Sequence, residues 1–105
     1  MQSVNTRKMR EQRLLCRLGK QVRHLRLAHN ISQKDLASGS GVGLSTLKRL
    51  ENGQGCNLAA LVQLLVALNC DDKVDVLFAQ LAEDVAGSRA AIRSRASSPR
   101  KAVDP

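Results

Sequence analysis

Basic side chains are the most numerous chemically active groups in this sequence, and they are unevenly distributed. The chain has 17 Lys and Arg against nine Asp and Glu, a formal net charge of +8 over 105 residues. Within the first thirty residues only Glu11 is acidic, whereas residues 71–84 contain five acids and a single base, Lys73. Cationic side chains attract polyanions, so we expect the N-terminal part to bind them and the later part not to.

Residues suited to enzymatic or metal chemistry do not form recognisable sites. Cys16, Cys56 and Cys70 are odd in number and far apart, which favours reduced thiols over disulfides or zinc ligands. His24 and His29 are typical of surface or helix-capping histidines. The sequence shows no Gly-rich phosphate loop, nucleophile signature or evident carboxylate pair. We therefore predict a protein that is not an enzyme and needs no metal or cofactor.

Length and hydropathy indicate the class of protein. A chain of 105 residues has room for one domain of ordinary size. No apolar run approaches the roughly 18 residues that a membrane helix needs. The opening residues, MQSVNTRKMREQR, lack the apolar stretch of a secretory signal. We expect a cytoplasmic protein that does not contact membranes.

Apolar residues recur with helical spacing through most of the chain, and no stretch alternates with a period of two. This pattern predicts helices near residues 10–28, 32–39, 43–52, 58–68 and 72–84. Ser32 and Asn57 are suited to cap helix N-termini, and Asn30 and Asn69 are suited to end helices. The expected fold class is all-α, with three segments: a flexible basic arm (1–9), a five-helix domain (10–86) and a disordered Arg- and Ser-rich tail (87–105).

The segment 33–53 has the pattern of two short helices that cross at a tight turn. Ala37 is small, which lets the second helix cross close to the first. Gly41 permits the positive φ that such a turn requires. We predict that the turn and its packing depend on five residues: Ala37, Gly41, Val42, Leu47 and Leu50.

Three motifs in this region, SQKDLA at 32–37, GV at 41–42 and STLKRLENG at 45–53, resemble the signature of the Xre, Cro and lambda-repressor family. The predicted helices at 14–28 and 58–68 fall where that family has its first and fourth helices. The resemblance covers roughly residues 14–82. It implies a compact lambda-repressor-like fold whose helix-turn-helix binds double-stranded DNA.

The resemblance also implies which side chains meet DNA. Gln33 and Asn52 match phosphate-contacting positions, and Arg49 is the best candidate for a base contact, because a guanidinium can bond guanine O6 and N7 together. On the first helix, basic residues at 20, 23 and 26 are expected to reach phosphates. The predicted DNA-binding residues are Gln33, Gly43, Leu44, Ser45, Thr46, Lys48, Arg49, Asn52, Lys20 and Arg23.

Two residues depart from the family pattern. Gly43 stands where a Ser or Thr usually caps the recognition helix, and Leu44 replaces a polar residue that commonly contacts a base. Shape and phosphate contacts are then expected to supply more of the specificity. Glu51 would repel phosphate, so we expect it to partner a basic residue or a free N–H. For the basic residues of 7–17, phosphate contact and a merely solubilising face are both open.

The segment 41–77 followed by an Arg- and Ser-rich tail is also similar to HipB-type regulators, antitoxins that repress their own operon and bind a HipA-like kinase toxin. Because one module reads only a half-site, we expect a homodimer on a palindromic operator in the bacterial nucleoid. The dimer contact is expected at the chain ends or on the fifth helix, at Val74, Leu77, Phe78, Leu81 and Val85.

Two other functions fit the same sequence. The chain can be a stand-alone Xre-type regulator, or a mainly protein-binding inhibitor in which DNA binding is secondary. The basic tail has two corresponding interpretations: it docks on an acidic kinase surface, or it adds non-specific affinity for DNA.

Overall fold

The computed structural model describes the backbone of residues 4–93 and the side chains of residues 5–89, and within these residues all regular structure is helical. The helices are α1 (Val4–Ala28), α2 (Gln33–Ser40), α3 (Leu44–Glu51), α4 (Leu58–Ala67) and α5 (Asp71–Arg93). The predicted all-α, five-helix, lambda-repressor-like fold is confirmed.

The first and last helices are longer than the sequence pattern predicts. Helix α1 begins at Val4, so residues 4–9, predicted as a flexible arm, are helical. The residues that follow, RKMREQR at 7–13, all have high helix propensity, which favours extension of the helix toward its N-terminus. Helix α5 continues to Arg93, through the Ala-containing start of the predicted tail. The remaining parts of the predicted arm (1–3) and tail (94–105) lie outside the described residues.

Local signals account for the ends of the short helices. The Ser32 hydroxyl accepts a hydrogen bond from the Asp35 N–H at 3.0 Å, and the Asn57 side chain accepts one from the Ala60 N–H at 2.7 Å. Both predicted N-caps are therefore confirmed. Asn30 and Asn69, which follow α1 and α4, adopt the left-handed conformation with φ of 61° and 60°, and Asn tolerates this conformation better than most residues.

Helices α1 to α4 form one compact unit that ends at Asp71, and α5 forms a second unit from Asp72. In the first unit, α2 packs against α3 and α4, while α1 packs against α3. Leu47 of α3 and Leu64 of α4 are completely buried. The buried apolar core of this unit consists of Val22, Leu36, Ala37, Val42, Leu47, Leu50, Ala60, Leu64 and Leu68. This core fixes the orientation of α3.

Helix α1 crosses the C-terminal end of α3 at very short range. A Cβ atom at Gly19 would overlap the carbonyl oxygen of Leu50, so only glycine fits there. Cys16, one turn before Gly19 on α1, is also close to the residues that follow α3. A Cβ atom at Gly53 would lie 2.7 Å from the Cys16 sulfur. Gly53 also has a φ of 86°, which L-residues rarely adopt. These two glycines let α1 lie directly on the end of α3.

None of the described helices has the length and apolar character required to cross a membrane.

Candidate nucleic-acid interface

The turn between α2 and α3 is built from local hydrogen bonds and one left-handed glycine. Gly41 has a φ of 81°, and its N–H donates to the Ala37 carbonyl at 3.0 Å. The Ser40 hydroxyl donates to that same carbonyl at 3.3 Å and accepts the Val42 N–H at 3.2 Å. Ala37 and the side chain of Val42 are buried below the turn. The angle between α2 and α3 is therefore held by both backbone and core.

Helix α3 has a buried face and an exposed polar face. Leu47 and Leu50 are buried in the core. On the opposite side of the same two turns, Ser45, Lys48 and Arg49 are exposed. Together these three offer a hydroxyl, an ammonium and a guanidinium on one surface, which are donors suited to base edges and phosphate oxygens.

The start of α3 differs from the rest of that surface. Gly43 is the N-cap residue, is exposed and makes no side-chain capping bond. Leu44 is half-buried and packs against the core, so only part of its side chain is available to a ligand. Thr46 is half-buried as well. Of the residues predicted for α3, therefore, Ser45, Lys48 and Arg49 are the most accessible.

A buried ion pair joins α1 to the end of α3. Arg26 donates from Nε to Glu51 Oε2 at 2.7 Å and from Nη2 to Glu51 Oε1 at 2.9 Å. The two side chains are only 8% and 3% exposed. Arg26 also donates from Nη1 to the Ile31 carbonyl at 3.0 Å, which ties in the loop before α2. The hydrogen bond with Glu51 raises the pKa of Arg26, although burial opposes this effect.

The Arg26–Glu51 pair tests two expectations from the sequence, one for each residue. Glu51 has a basic partner, as its charge led us to expect. Arg26 was expected to reach phosphates together with its basic neighbours on α1, and this expectation is wrong, because its guanidinium is buried and held by Glu51. Lys20 and Arg23, in contrast, are exposed.

The side chain of Gln33 is also held by Glu51. Its Nε2 donates to Glu51 Oε1 at 3.1 Å, and the residue is half-buried. The amide is therefore fixed at the start of α2, close to the end of α3. Asn52 is exposed just after α3, where its backbone N–H bonds the Lys48 carbonyl at 3.0 Å. The structure thus places the start of α2 beside the C-terminal end of α3.

Gly19 is a residue of this site that the sequence interpretation missed. It carries no ligand-binding group, yet it sets the distance between α1 and α3. A glycine in the middle of a long helix lowers stability by about 0.5–1 kcal/mol relative to alanine. Its presence within the predicted first helix was therefore a sequence signal that another part of the backbone approaches closely there.

These features together make a pair of short helices that cross at a left-handed glycine, with one helix exposing a polar face. A family model described as a helix-turn-helix domain matches residues 17–77, more than half of the chain. The chain belongs to the helix-turn-helix domain family. Comparison with curated proteins and with solved structures gave no match.

Membership of the helix-turn-helix family makes this chain a DNA-binding regulator, and the family is typically non-enzymatic. The matched range contains α2, α3 and α4 in full, whereas the first thirteen residues of α1 and most of α5 lie outside it. In the part of the chain that the structure describes, no three His, Cys, Asp or Glu side chains are grouped so that they can hold a metal ion.

Proposed function

We propose that this helix-turn-helix protein is a sequence-specific transcriptional repressor that reads the major groove with α3. The observation that carries the proposal is the exposure of Ser45, Lys48 and Arg49 on a helix whose opposite face is buried. Such a helix is rigid enough to hold donors in register with base edges.

In this mechanism each exposed group has a distinct role. Arg49 bonds guanine O6 and N7, a pairing that contributes about 1–3 kcal/mol of discrimination. Lys48 and Ser45 contact bases or phosphates on either side of that guanine. Gln33, Asn52, Lys20 and Arg23 contact the backbone and set the register of the domain on the duplex. Gly43, Leu44 and Thr46 lie against the groove, where the half-buried Leu44 offers a methyl contact to thymine.

Sequence discrimination by α3 alone is modest in this proposal. Arg49 is the residue of α3 best suited to bidentate base recognition, and a single contact of this kind in a half-site does not give operator-level specificity. A homodimer on a palindrome doubles the contacts. Helix α5 supports this arrangement, because Leu77, Phe78, Leu81 and Val85 are exposed and, with the half-buried Val74, recur at helical spacing.

The regulatory role that we propose is that of a HipB-type antitoxin, which represses its own operon on the bacterial nucleoid and neutralises a HipA-like kinase toxin. The similarity of residues 41–77 to HipB-type regulators supports this role. The tail, 87–105, is the proposed docking segment for the acidic surface of the kinase. A mainly protein-binding role is the second candidate, because the exposed apolar face of α5 is suited to a protein partner.

Selection from a library of random duplexes at near-physiological salt tests the proposal. The purified protein is expected to retain duplexes that share a palindrome, with half-sites one helical turn apart or a multiple of that distance. Retention without any shared motif would contradict operator recognition and would indicate that the protein binds only the phosphate backbone.

A truncation tests the antitoxin role separately. Deletion of residues 87–105 is expected to leave the selected motif unchanged and to weaken binding of the kinase encoded beside this gene. An unchanged affinity for that kinase would exclude the tail as its docking segment, and the absence of any kinase binding by the full chain would favour a stand-alone regulator.

A further inference from the structure

Almost all of the net charge of this protein resides on α1. The helix contains eight Lys and Arg against one Glu, a formal excess of seven out of the eight net charges of the whole chain. Buried Arg26 uses one of these charges in its pair with Glu51. The others are exposed, and most of them precede the crossing with α3.

Four of these residues are arginines that lie on one face of α1. Arg7, Arg10, Arg13 and Arg17 recur every three or four residues and are all exposed, with Glu11 and Leu14 beside them. We call these four residues the arginine stripe. At 1.5 Å per residue the stripe is about 15 Å long. B-DNA carries one phosphate of each strand for about every 3.4 Å of its helix axis, so the stripe is about as long as a stretch of axis with four phosphates of one strand.

The arginine stripe faces away from α3. Helix α1 contacts the α3 end through Cys16, Gly19 and Arg26. At about 100° per residue, the mean direction of these residues and the buried Val22 differs from that of the stripe by about 180°. Lys20 and Arg23 lie between these two directions, so a duplex that is read by α3 can contact both of them while the stripe points away from α3.

The residue type of the stripe favours phosphate over the other uses of a basic face. All four positions are Arg, whose planar guanidinium binds phosphate through two parallel hydrogen bonds. A solubilising face has no need of that geometry, and acidic residues serve solubility better. A membrane-surface helix needs a wide apolar face opposite its charges, but opposite the stripe α1 has Lys8 and Gln12 and then Gly19, which meets α3.

We propose that the arginine stripe is a second DNA-binding site, which holds the phosphate backbone of one duplex segment while α3 reads another. The proposal rests on the proposed function of α3 and adds a new activity, the bridging of two duplexes by one protein. Residues 7–13 of the stripe precede the range that the helix-turn-helix family shares, so bridging is a property of this chain and not of the domain.

A two-duplex capture assay tests the proposal with the full chain. Mixed-sequence duplexes of about 30 base pairs, roughly three helical turns, are immobilised on beads, loaded with protein and exposed to a fluorescent duplex of the same length. The variant R13Q/R17Q removes two stripe charges, and Gln keeps a similar helix propensity. The matched control K8Q/K73Q also removes two exposed charges, one from another face of α1 and one from α5.

The expected result is that the wild-type protein and K8Q/K73Q capture the second duplex to the same extent and that R13Q/R17Q captures much less of it. For the second duplex, the slope of log K against log salt should fall by about 1.8 in R13Q/R17Q, at about 0.9 per phosphate contact. The charge-keeping variant R13K/R17K should recover most of the capture. The motif selected from random duplexes should be the same for all four proteins.

Several results would overturn the stripe proposal. These are no capture by the wild-type protein, equal loss in R13Q/R17Q and in the control, or capture by R13Q/R17Q that equals the wild-type level, which would indicate bridging by two α3 helices of a dimer. Tighter stripe-dependent binding to vesicles of equal phosphatidylserine and phosphatidylcholine than to duplex would assign the stripe to membranes instead. If the protein selects no motif but still shows stripe-dependent capture, the stripe proposal holds. Only the proposed recognition of base sequence by α3 is then contradicted.

Discussion

Arg26 in α1 and Glu51 at the end of α3 are 25 residues apart in sequence and form two hydrogen bonds, of 2.7 and 2.9 Å, in the interior of the first unit. Glu51 also accepts a hydrogen bond from Gln33 at the start of α2. One carboxylate thus holds three helices at the edge of the proposed DNA-binding surface. The pair orients this surface and does not itself contact the ligand, since both side chains are almost completely buried.

Removing the charge of Glu51 should destabilise the domain strongly. In E51Q the guanidinium of Arg26 stays buried without its counter-ion, and the loss of one partner of a buried pair costs about 3–5 kcal/mol. Urea unfolding measures the change, with E83Q on the exposed surface of α5 as the control. The double variant R26M/E51L should recover much of the loss. Equal stability of E51Q and E83Q would show that the pair is not needed.

Gly19 should not tolerate even one added methyl group. In G19A the new Cβ meets the Leu50 carbonyl oxygen, so α1 and α3 must move apart, and we expect a loss of about 1–3 kcal/mol in the free energy of unfolding. Gly39 in α2 is the matched control, because a Cβ there meets nothing within 4 Å. G39A should therefore stabilise the protein by about 0.5–1 kcal/mol. The same sign for both variants in thermal unfolding would contradict the close crossing.

Replacing Arg49 should relax sequence preference at one position of each half-site. R49A removes the proposed bidentate contact to guanine, so binding of the selected operator should weaken by about 1–3 kcal/mol while binding of a mixed-sequence duplex changes little. Competition binding at constant salt measures both values. R89A removes the same charge from α5 and serves as the control. Equal losses on every duplex would assign Arg49 to the phosphate backbone.

A charge on the apolar face of α5 should dissociate the proposed homodimer. Phe78 is exposed, and in F78E a carboxylate would have to be desolvated on association, which is unfavourable without a partner. Light scattering should then give the mass of a monomer, and affinity for the palindrome should fall. Q80E adds the same charge about 200° around the helix and should remain dimeric. An unchanged mass for F78E would exclude this face as the dimer contact.

Most local features of the fold could be predicted from contiguous residues. The caps at Ser32 and Asn57 and the left-handed turns at Asn30 and Asn69 depend on one side chain and the backbone beside it. The glycine turn at Gly41 depends on its own φ and on a few hydrogen bonds within the turn. The limits of α1 and α5 were less predictable, because long runs of good helix formers contain no residue that ends a helix.

The candidate site was only partly predictable, because it depends on distances between helices. The sequence by itself determined the order of the helices, the helix-turn-helix motif and the polar face of α3, since period and turn chemistry are local properties. The tertiary structure decided that Arg26 pairs with Glu51 and its basic neighbours on α1 stay exposed, that Gln33 is held, and that Leu44 is half-buried. These outcomes depend on where α1 crosses α3, and that crossing is set by the packing of residues distant in the chain.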